Sequence, residues 1–448
     1  MVQPAVRDRG PAAARSWRHP AAAQARCPVT PADPTPPTDA GTEADAGTEP
    51  VVAEAPRLQL RDPLPPVVDT AAALDDTCAR IMAGTGPIAL DAERASGYRY
   101  SQRAYLIQVR REGSGTHLVD PIAFDSLVPL DTAFDGNEWI LHAATQDLMC
   151  LAEVGLYPEH LFDTELAGRL LNLPRVGLAA LVEHYLGLSL AKEFSAADWS
   201  TRPLPEPWLV YAALDVEVLV ELRDLIDADL QQAGKRAWAA EEFESLLLFQ
   251  GPPERKEPWR RTSGLHKARG RRALGIVREI WHARDAIAES RDTTPGRVLP
   301  DASILELATA PPKDLNALKS LRIMRNRGPR RFVETWFEAV ERGLALDEAQ
   351  LPTTNQRVDG PPPPRAWADK NPAAAERLGR CREVVTALAE EHDLPSENLI
   401  SPQLVRNLAW EPPADVSPAT VSQVLRQQGA RQWQVDLVLD QLVEALAA

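Results

Sequence analysis

The chain has 448 residues, 44% hydrophobic and 25% charged, an ordinary globular composition spread over too many residues for one compact core. No run approaches about 18 uninterrupted apolar residues, so no membrane span is expected, and the basic N-terminus lacks the apolar stretch of a secretory signal. The formal charge of −15 argues, taken alone, against a phosphate-binding surface.

Residues 1–62 are rich in Ala, Pro, Thr and acid and carry no periodic apolar pattern, so a disordered tail is expected. The pattern turns globular near Val67, and residues 63–250 read as one α/β domain. Pro87–Asp91 reads as a short buried strand, Ala104–Val109 as a second and Thr116–Val119 as a third, with a Gly113–Gly115 turn between the last two. Trp139–His142 is a fourth strand, and a helical stretch from about Gln146 to Val154 follows it. Helices then dominate to about Phe249. Hairpins followed by strand–helix alternation indicate a mixed sheet with flanking helices.

Residues 251–267 form a basic linker, opening on Gly251-Pro252-Pro253. From 268 to 347 the periodicity is helical, with Leu274, Val277, Ile280 and Trp281 at core-face spacing. Residues 348–370, with Pro361 to Pro364 in a row, read as a stiff linker. Residues 371–448 are helical again and are a candidate second copy of the preceding module. The basic residues concentrate here: Arg255, Lys256, Arg260, Arg261, Lys267, Arg269, Arg271 and Arg272 in one run, and Arg322, Arg325, Arg327, Arg330 and Arg331 in another. A positive path across part of the surface is therefore compatible with the overall negative charge.

Asp91 and Glu93 stand two apart at a strand end, so their side chains share a face. Two neighbouring carboxylates repel, and burying them is costly without cations between them. Asp147 follows a later strand near a helix start, where an acid also complements the helix dipole. Tyr211 and Asp215 are i and i+4 on a helix that Pro207 suits at its first turn, so they share a face amid Ala213, Leu214, Val218 and Leu222. Each feature alone has a bland explanation. Their order along one chain is what carries information.

An Asp-x-Glu strand, an Asp after a later strand and a Tyr-x-x-x-Asp helix resemble the three motifs of 3′–5′ exonucleases with four acids and a tyrosine. Ile88–Glu93 resembles the first motif. His142–Leu148, with Phe162–Leu171 downstream, resembles the second. Trp199–Leu204 and Tyr211–Val216 resemble the third in its ribonuclease D form, and residues 268–346 resemble the helical domain (HRDC) shared by RecQ-type helicases and ribonuclease D. The resemblance implies a ribonuclease H-like fold and two divalent ions, Mg²⁺ or Mn²⁺. Asp91 would bridge them, Glu93 and Asp215 would hold the one that activates water, and Asp147 the other. Tyr211, with an ordinary pKa of about 10, would orient the water rather than act as base. It further implies an RNA partner with a single-stranded 3′ end, release of 5′-mononucleotides, a role in tRNA or small-RNA processing and a cytoplasmic setting.

Of the neighbouring residues, His142 reads as a structural histidine, Asp163 as a helix cap and Trp199 as core. Lys192 and Arg202, and Arg325, Arg327, Arg330 and Arg331, are candidates to touch phosphate, the arginines as a turn suited to sequence-independent backbone contacts. Cys27, Cys78, Cys150 and Cys381 form no CxxC pair, which fits a reducing compartment and argues against both a disulfide framework and a zinc knuckle. No GxxxxGK[ST] is present, so no nucleotide cofactor is expected. A DNA exonuclease on the same scaffold and a non-catalytic RNA-binding scaffold are the competing readings.

Overall fold

The computed structural model describes residues 55–191, 193–354 and 360–448. The disorder expected at the N-terminus therefore lies, as far as residue 54, outside the described residues, as does Lys192. Residues 55–62, counted in the expected tail, are instead packed on the sheet-bearing unit. Leu58 is buried and its N–H bonds the Ser189 carbonyl, while Arg61 pairs with Glu221. Leu60 and Leu64, packed against the core around Trp199, help Leu58 to anchor this segment.

The described residues divide into two compact units. The first to consider holds the sheet. Six strands, β1 (Val67–Val68), β2 (Thr85–Arg94), β3 (Ala104–Glu112), β4 (Gly115–Val119), β5 (Glu138–Leu141) and β6 (His160–Asp163), assemble in the order β1-β4-β3-β2-β5-β6. β2, β3 and β4 are antiparallel neighbours, whereas β1/β4, β2/β5 and β5/β6 are parallel. The sheet is thus mixed, as the hairpin-then-alternation pattern predicts. β1 and β6 were not foreseen: each is short, and β6 runs straight into a helix.

Alternation along β2 sorts its side chains between two cores. Ile88, Leu90 and Ala92 pack with Ile107, Val109 and Trp139 on one side. Ala89, Asp91 and Glu93 face the other side, over which the helix Glu206–Glu217 packs against β2, β3 and β4. That helix stops at Val218 and a second one, Leu219–Gln232, begins at once, where the sequence read as one continuous helix.

The C-terminal helices belong to the same unit as the sheet. Their core is continuous with Phe243, Leu222 and Leu230 of the sheet-bearing half. Trp238 stacks on Trp433 at 5.0 Å and 15° between planes, Arg431 pairs with Glu242 at 3.1 Å, and the Lys235 ammonium donates to the carbonyls of Leu170 and Asp393. The proline-rich linker is shorter than expected, because Trp367 is buried and donates to the Pro362 carbonyl.

The second unit, residues 252–354, is helical. Arg271–Ser290 packs on Val333–Ala345 so closely that a Cβ at Gly343 would lie 2.6 Å from the Ile276 Cα. The basic linker is partly built into it: Trp259 is buried, and Arg260 donates to the Thr353 carbonyl. The two helical segments share a succession of helices of 20, 4 and 9 residues, Arg271–Ser290, Pro295–Val298 and Asp301–Thr309 against Pro372–Glu391, Ser396–Leu399 and Pro402–Trp410. In each, an aspartate at positive φ (Asp292, Asp393) follows the long helix. No helix among the described residues is long and apolar enough to cross a membrane.

Candidate active site

β2 delivers Asp91 and Glu93 to one face, and the helix Glu206–Glu217 lowers Tyr211 and Asp215 onto it. Small residues make the approach close: Ala212 and Ala213 are wholly buried beside Leu106 and Leu118 of the sheet. Carboxylate oxygens of Asp91, Glu93 and Asp215 lie within 4.8 Å of one another. Tyr211 and Asp215 share a side-chain hydrogen bond, and the Tyr211 ring rests against Trp199 and Phe194.

Asp147 comes from the turn after β5. It stands at the N-cap of Leu148–Glu153, yet its side chain makes no capping bond, so its carboxylate is not spent on the helix. The turn itself is pinned by Asp163, which accepts from the backbone N–H groups of Ala143 (3.0 Å) and Ala144 (2.8 Å) while capping Thr164–Leu170 through Glu165 and Leu166. Ala143 adopts φ 58°, the left-handed region, to present its N–H in this way. Asp163 is therefore a cap, as read from sequence, and also the clamp on the turn that carries Asp147.

The electrostatics describe a cluster short of positive charge. Burial, followed by repulsion from Asp91, Asp215 and Asp147, pushes Glu93 up to about 10 from 4.5, with Arg94 opposing. Burial also raises Asp147 and Asp215 well above the carboxylate range, with the Asp91 charge adding to both. Asp91 is raised by burial against the Ala92 N–H and Arg94. Arg94, whose guanidinium lies 3.9 Å from Asp147, is the cation of the cluster that sequence reasoning passed over. Its only signal was adjacency to Glu93. One guanidinium cannot balance four carboxylates, and the oxygen-only donor set is that of a hard divalent cation.

Several of the other residues singled out from sequence serve the fold. His142 bonds Thr164 Oγ1 at 2.9 Å, and burial lowers it to about 4, so it is neutral and structural. Trp199 is buried core. Arg202 is spent inside the protein: it grips Asp120 through one guanidinium edge, Nε and Nη2, and donates to the carbonyls of Tyr105, Trp199 and Thr201. A clamp fastening the third motif to the sheet accounts for it without phosphate. Arg325, Arg327, Arg330 and Arg331, in the other unit, are exposed, and Arg331 lies over the Phe332 ring.

Residues 65–231 match the family model described as a 3′–5′ exonuclease, residues 273–340 the HRDC domain and residues 360–446 the 3′ to 5′ exonuclease C-terminal domain. The chain is 30% identical over 338 residues to ribonuclease D of Gluconacetobacter diazotrophicus, across 73% of this chain and 82% of the relative. The chain belongs to the ribonuclease D family. It is a 3′–5′ exoribonuclease. A crystal structure of a protein from Bifidobacterium adolescentis superposes with a TM-score of 0.82 at 38% identity, covering 88% of this chain and all of the other. Escherichia coli RNase D shares the fold, with a TM-score of 0.61 at 24% identity over 85% of this chain and 98% of that one.

Proposed function

We propose that this ribonuclease D family member removes nucleotides one at a time from single-stranded RNA 3′ ends, releasing 5′-mononucleotides, in the maturation of tRNA precursors or other small stable RNAs. The observation that carries the reading is the meeting of Asp91, Glu93 and Asp215 within 4.8 Å beside Tyr211. In this reading Asp91, Glu93 and Asp215 would hold one divalent ion, and Asp147 would help to hold a second. Two such ions, Mg²⁺ or Mn²⁺, would supply an activated water, neutralise the crowded phosphate and stabilise the leaving 3′-oxygen.

The protein's own part is orientation. Burial and the Asp215, Glu93 and Asp91 charges hold the Tyr211 pKa above its ordinary 10, so the phenol keeps its proton. It then serves as a fixed hydrogen-bonding group that aligns the attacking water, not as a base. Asp163 holds Asp147 in register through the Ala143 turn. Arg325, Arg327, Arg330 and Arg331 guide the RNA backbone electrostatically, and the C-terminal helices are a second copy of that helical module, supported by their shared succession of helix lengths.

A time course on 5′-labelled RNA with a 3′ extension tests the proposal, with Mg²⁺, with EDTA and with Asp215→Asn in parallel. A ladder of single-nucleotide steps, lost with EDTA and with the variant, is expected. A ladder that survives Asp215→Asn would remove the carboxylate cluster from the chemistry.

A further inference from the structure

Strand register places one more polar side chain beside the carboxylates. Gln108 on β3 is directly opposite Asp91 on β2 and, on its other side, opposite Leu118 on β4. Residues directly opposite in an antiparallel pair send their side chains to the same face, with Cβ atoms about 5 Å apart. Gln108 therefore lies on the face of Asp91 and Glu93, under the helix Glu206–Glu217.

Gln108 is wholly buried, at 0% exposure, and neither its Oε1 nor its Nε2 has a hydrogen-bond partner among the described residues. Buried polar groups in folded proteins are paired with few exceptions, because an unpaired one keeps the full cost of leaving water. On its own face of the sheet Gln108 is flanked along β3 by Leu106 and Arg110 and across β4 by Leu118; the leucines are buried and apolar, and the arginine is held by Thr116 and Glu217. Packing alone would be better served at this position by a leucine or methionine. A glutamine here asks for a polar partner, and the polar residue across the strand pair is Asp91.

We propose that Gln108 is a positioning residue for Asp91, its side-chain amide holding the ionised carboxylate across the strand pair when that carboxylate carries a cation. One Asp91 oxygen already accepts from the Ala92 N–H at 2.8 Å. A donation from Gln108 Nε2 to the other oxygen fixes the carboxylate plane and leaves a lone pair on each oxygen for metal. Hydrogen-bonding partners of ligating carboxylates tune affinity in this way, typically by about 10- to 100-fold. The inference rests on the reading of Asp91 as a metal ligand.

The test is Gln108→Met, of similar length but without the amide, with Gln108→Leu measured in the same way should the first not fold. Three quantities are read: the melting temperature in EDTA, Mn²⁺ binding without RNA by electron paramagnetic resonance, and kcat and KM on a short RNA. We expect a melting temperature equal to or above wild type, Mn²⁺ affinity about tenfold weaker, a lower kcat with unchanged KM, and partial recovery of kcat in excess Mn²⁺. Wild-type Mn²⁺ affinity overturns the proposal, whether the variant is more stable, which would make Gln108 a mere packing residue, or less stable, which would make it a structural one. Asp91→Asn in parallel keeps the two readings apart. Mn²⁺ binding left intact by Asp91→Asn overturns the metal-site reading itself, whereas binding lost there but kept in Gln108→Met overturns the role of Gln108 alone.

Discussion

Glu93→Gln should stabilise the metal-free protein while destroying its activity. Glu93 is buried in the cluster and its pKa is pushed up to about 10 from 4.5, so the folded state holds a proton that the unfolded chain would release at neutral pH. Keeping that proton at pH 7 costs about 3 kcal/mol at 1.36 kcal/mol per unit, a figure that depends on the ordinary value and only requires the folded one to lie above 7. The amide reproduces the neutral acid without this cost. Because neighbouring groups share the strain, the expected gain is about 1–3 kcal/mol, or roughly 2–5 °C for a unit of this size. The sign follows from linkage: a carboxyl raised on folding contributes fully below pH 4.5 and loses that contribution as pH climbs toward 10. The advantage of Glu93→Gln in EDTA should therefore vanish near pH 4.5 and widen through neutral pH. Saturating Mn²⁺ should close or invert the gap, since binding at a hundred times Kd stabilises the wild type by about 2.7 kcal/mol and the variant lacks a ligand. Thermal melts from pH 4 to 9, with EDTA and with Mn²⁺, read all of this. A variant that melts at or below wild type in EDTA at pH 8 would refute the reasoning.

Tyr211→Phe should lower kcat about a hundredfold with KM for RNA little changed, because a misplaced nucleophile costs on that order; steady-state kinetics on a short oligonucleotide decide it, and an unchanged kcat would discard the orienting role. Asp163→Ala leaves the N–H groups of Ala143, Ala144, Glu165 and Leu166 without their acceptor, so it should cost about 2–4 kcal/mol in urea unfolding and weaken Mn²⁺ binding through Asp147. Replacing Arg325, Arg327, Arg330 and Arg331 together by Gln should weaken RNA binding and flatten its salt dependence by about 0.7 in slope for each phosphate no longer neutralised, with cleavage of a trinucleotide unaffected. An unaltered slope would return these arginines to the role of a solvated turn.

What was legible in the sequence is what short-range periodicity encodes. Asp91 and Glu93 two apart on a strand, and Tyr211 and Asp215 four apart on a helix, each state which side chains share a face. The hairpin β3–β4 announces itself through Gly113 and Gly115, both at positive φ in the structure. The antiparallel core of the sheet and its covering helix were therefore readable, whereas its edges were not. β1 has two residues, too few for alternation to register, and β6 runs straight into the helix Thr164–Leu170, whose pattern masks it. Linkers were overdrawn because composition averages conceal single anchors: Leu58, Trp259 and Trp367 are buried within segments whose prolines and charges suggest loop.

Long-range pairing is the part that local pattern cannot supply. Arg202 looked like a phosphate ligand until its guanidinium was seen to be taken by Asp120, 82 residues earlier, and by the carbonyls of Tyr105, Trp199 and Thr201. The eight basic residues before the helical module looked like a continuous positive path, but Arg271 and Arg272 turn out to tie the end of a helix to its following loop. Arg94 and Gln108 went unremarked for the same reason. Their significance depends on what lies across the strand pair or the cleft, which register alone decides.

The most direct test of the metal-site account is anomalous diffraction from crystals soaked in Mn²⁺. The account predicts a peak among the carboxylates of Asp91, Glu93 and Asp215 and a second toward Asp147, both absent in Asp91→Asn. Crystals of active enzyme in which Mn²⁺ binds elsewhere and leaves these four acids bare would contradict it.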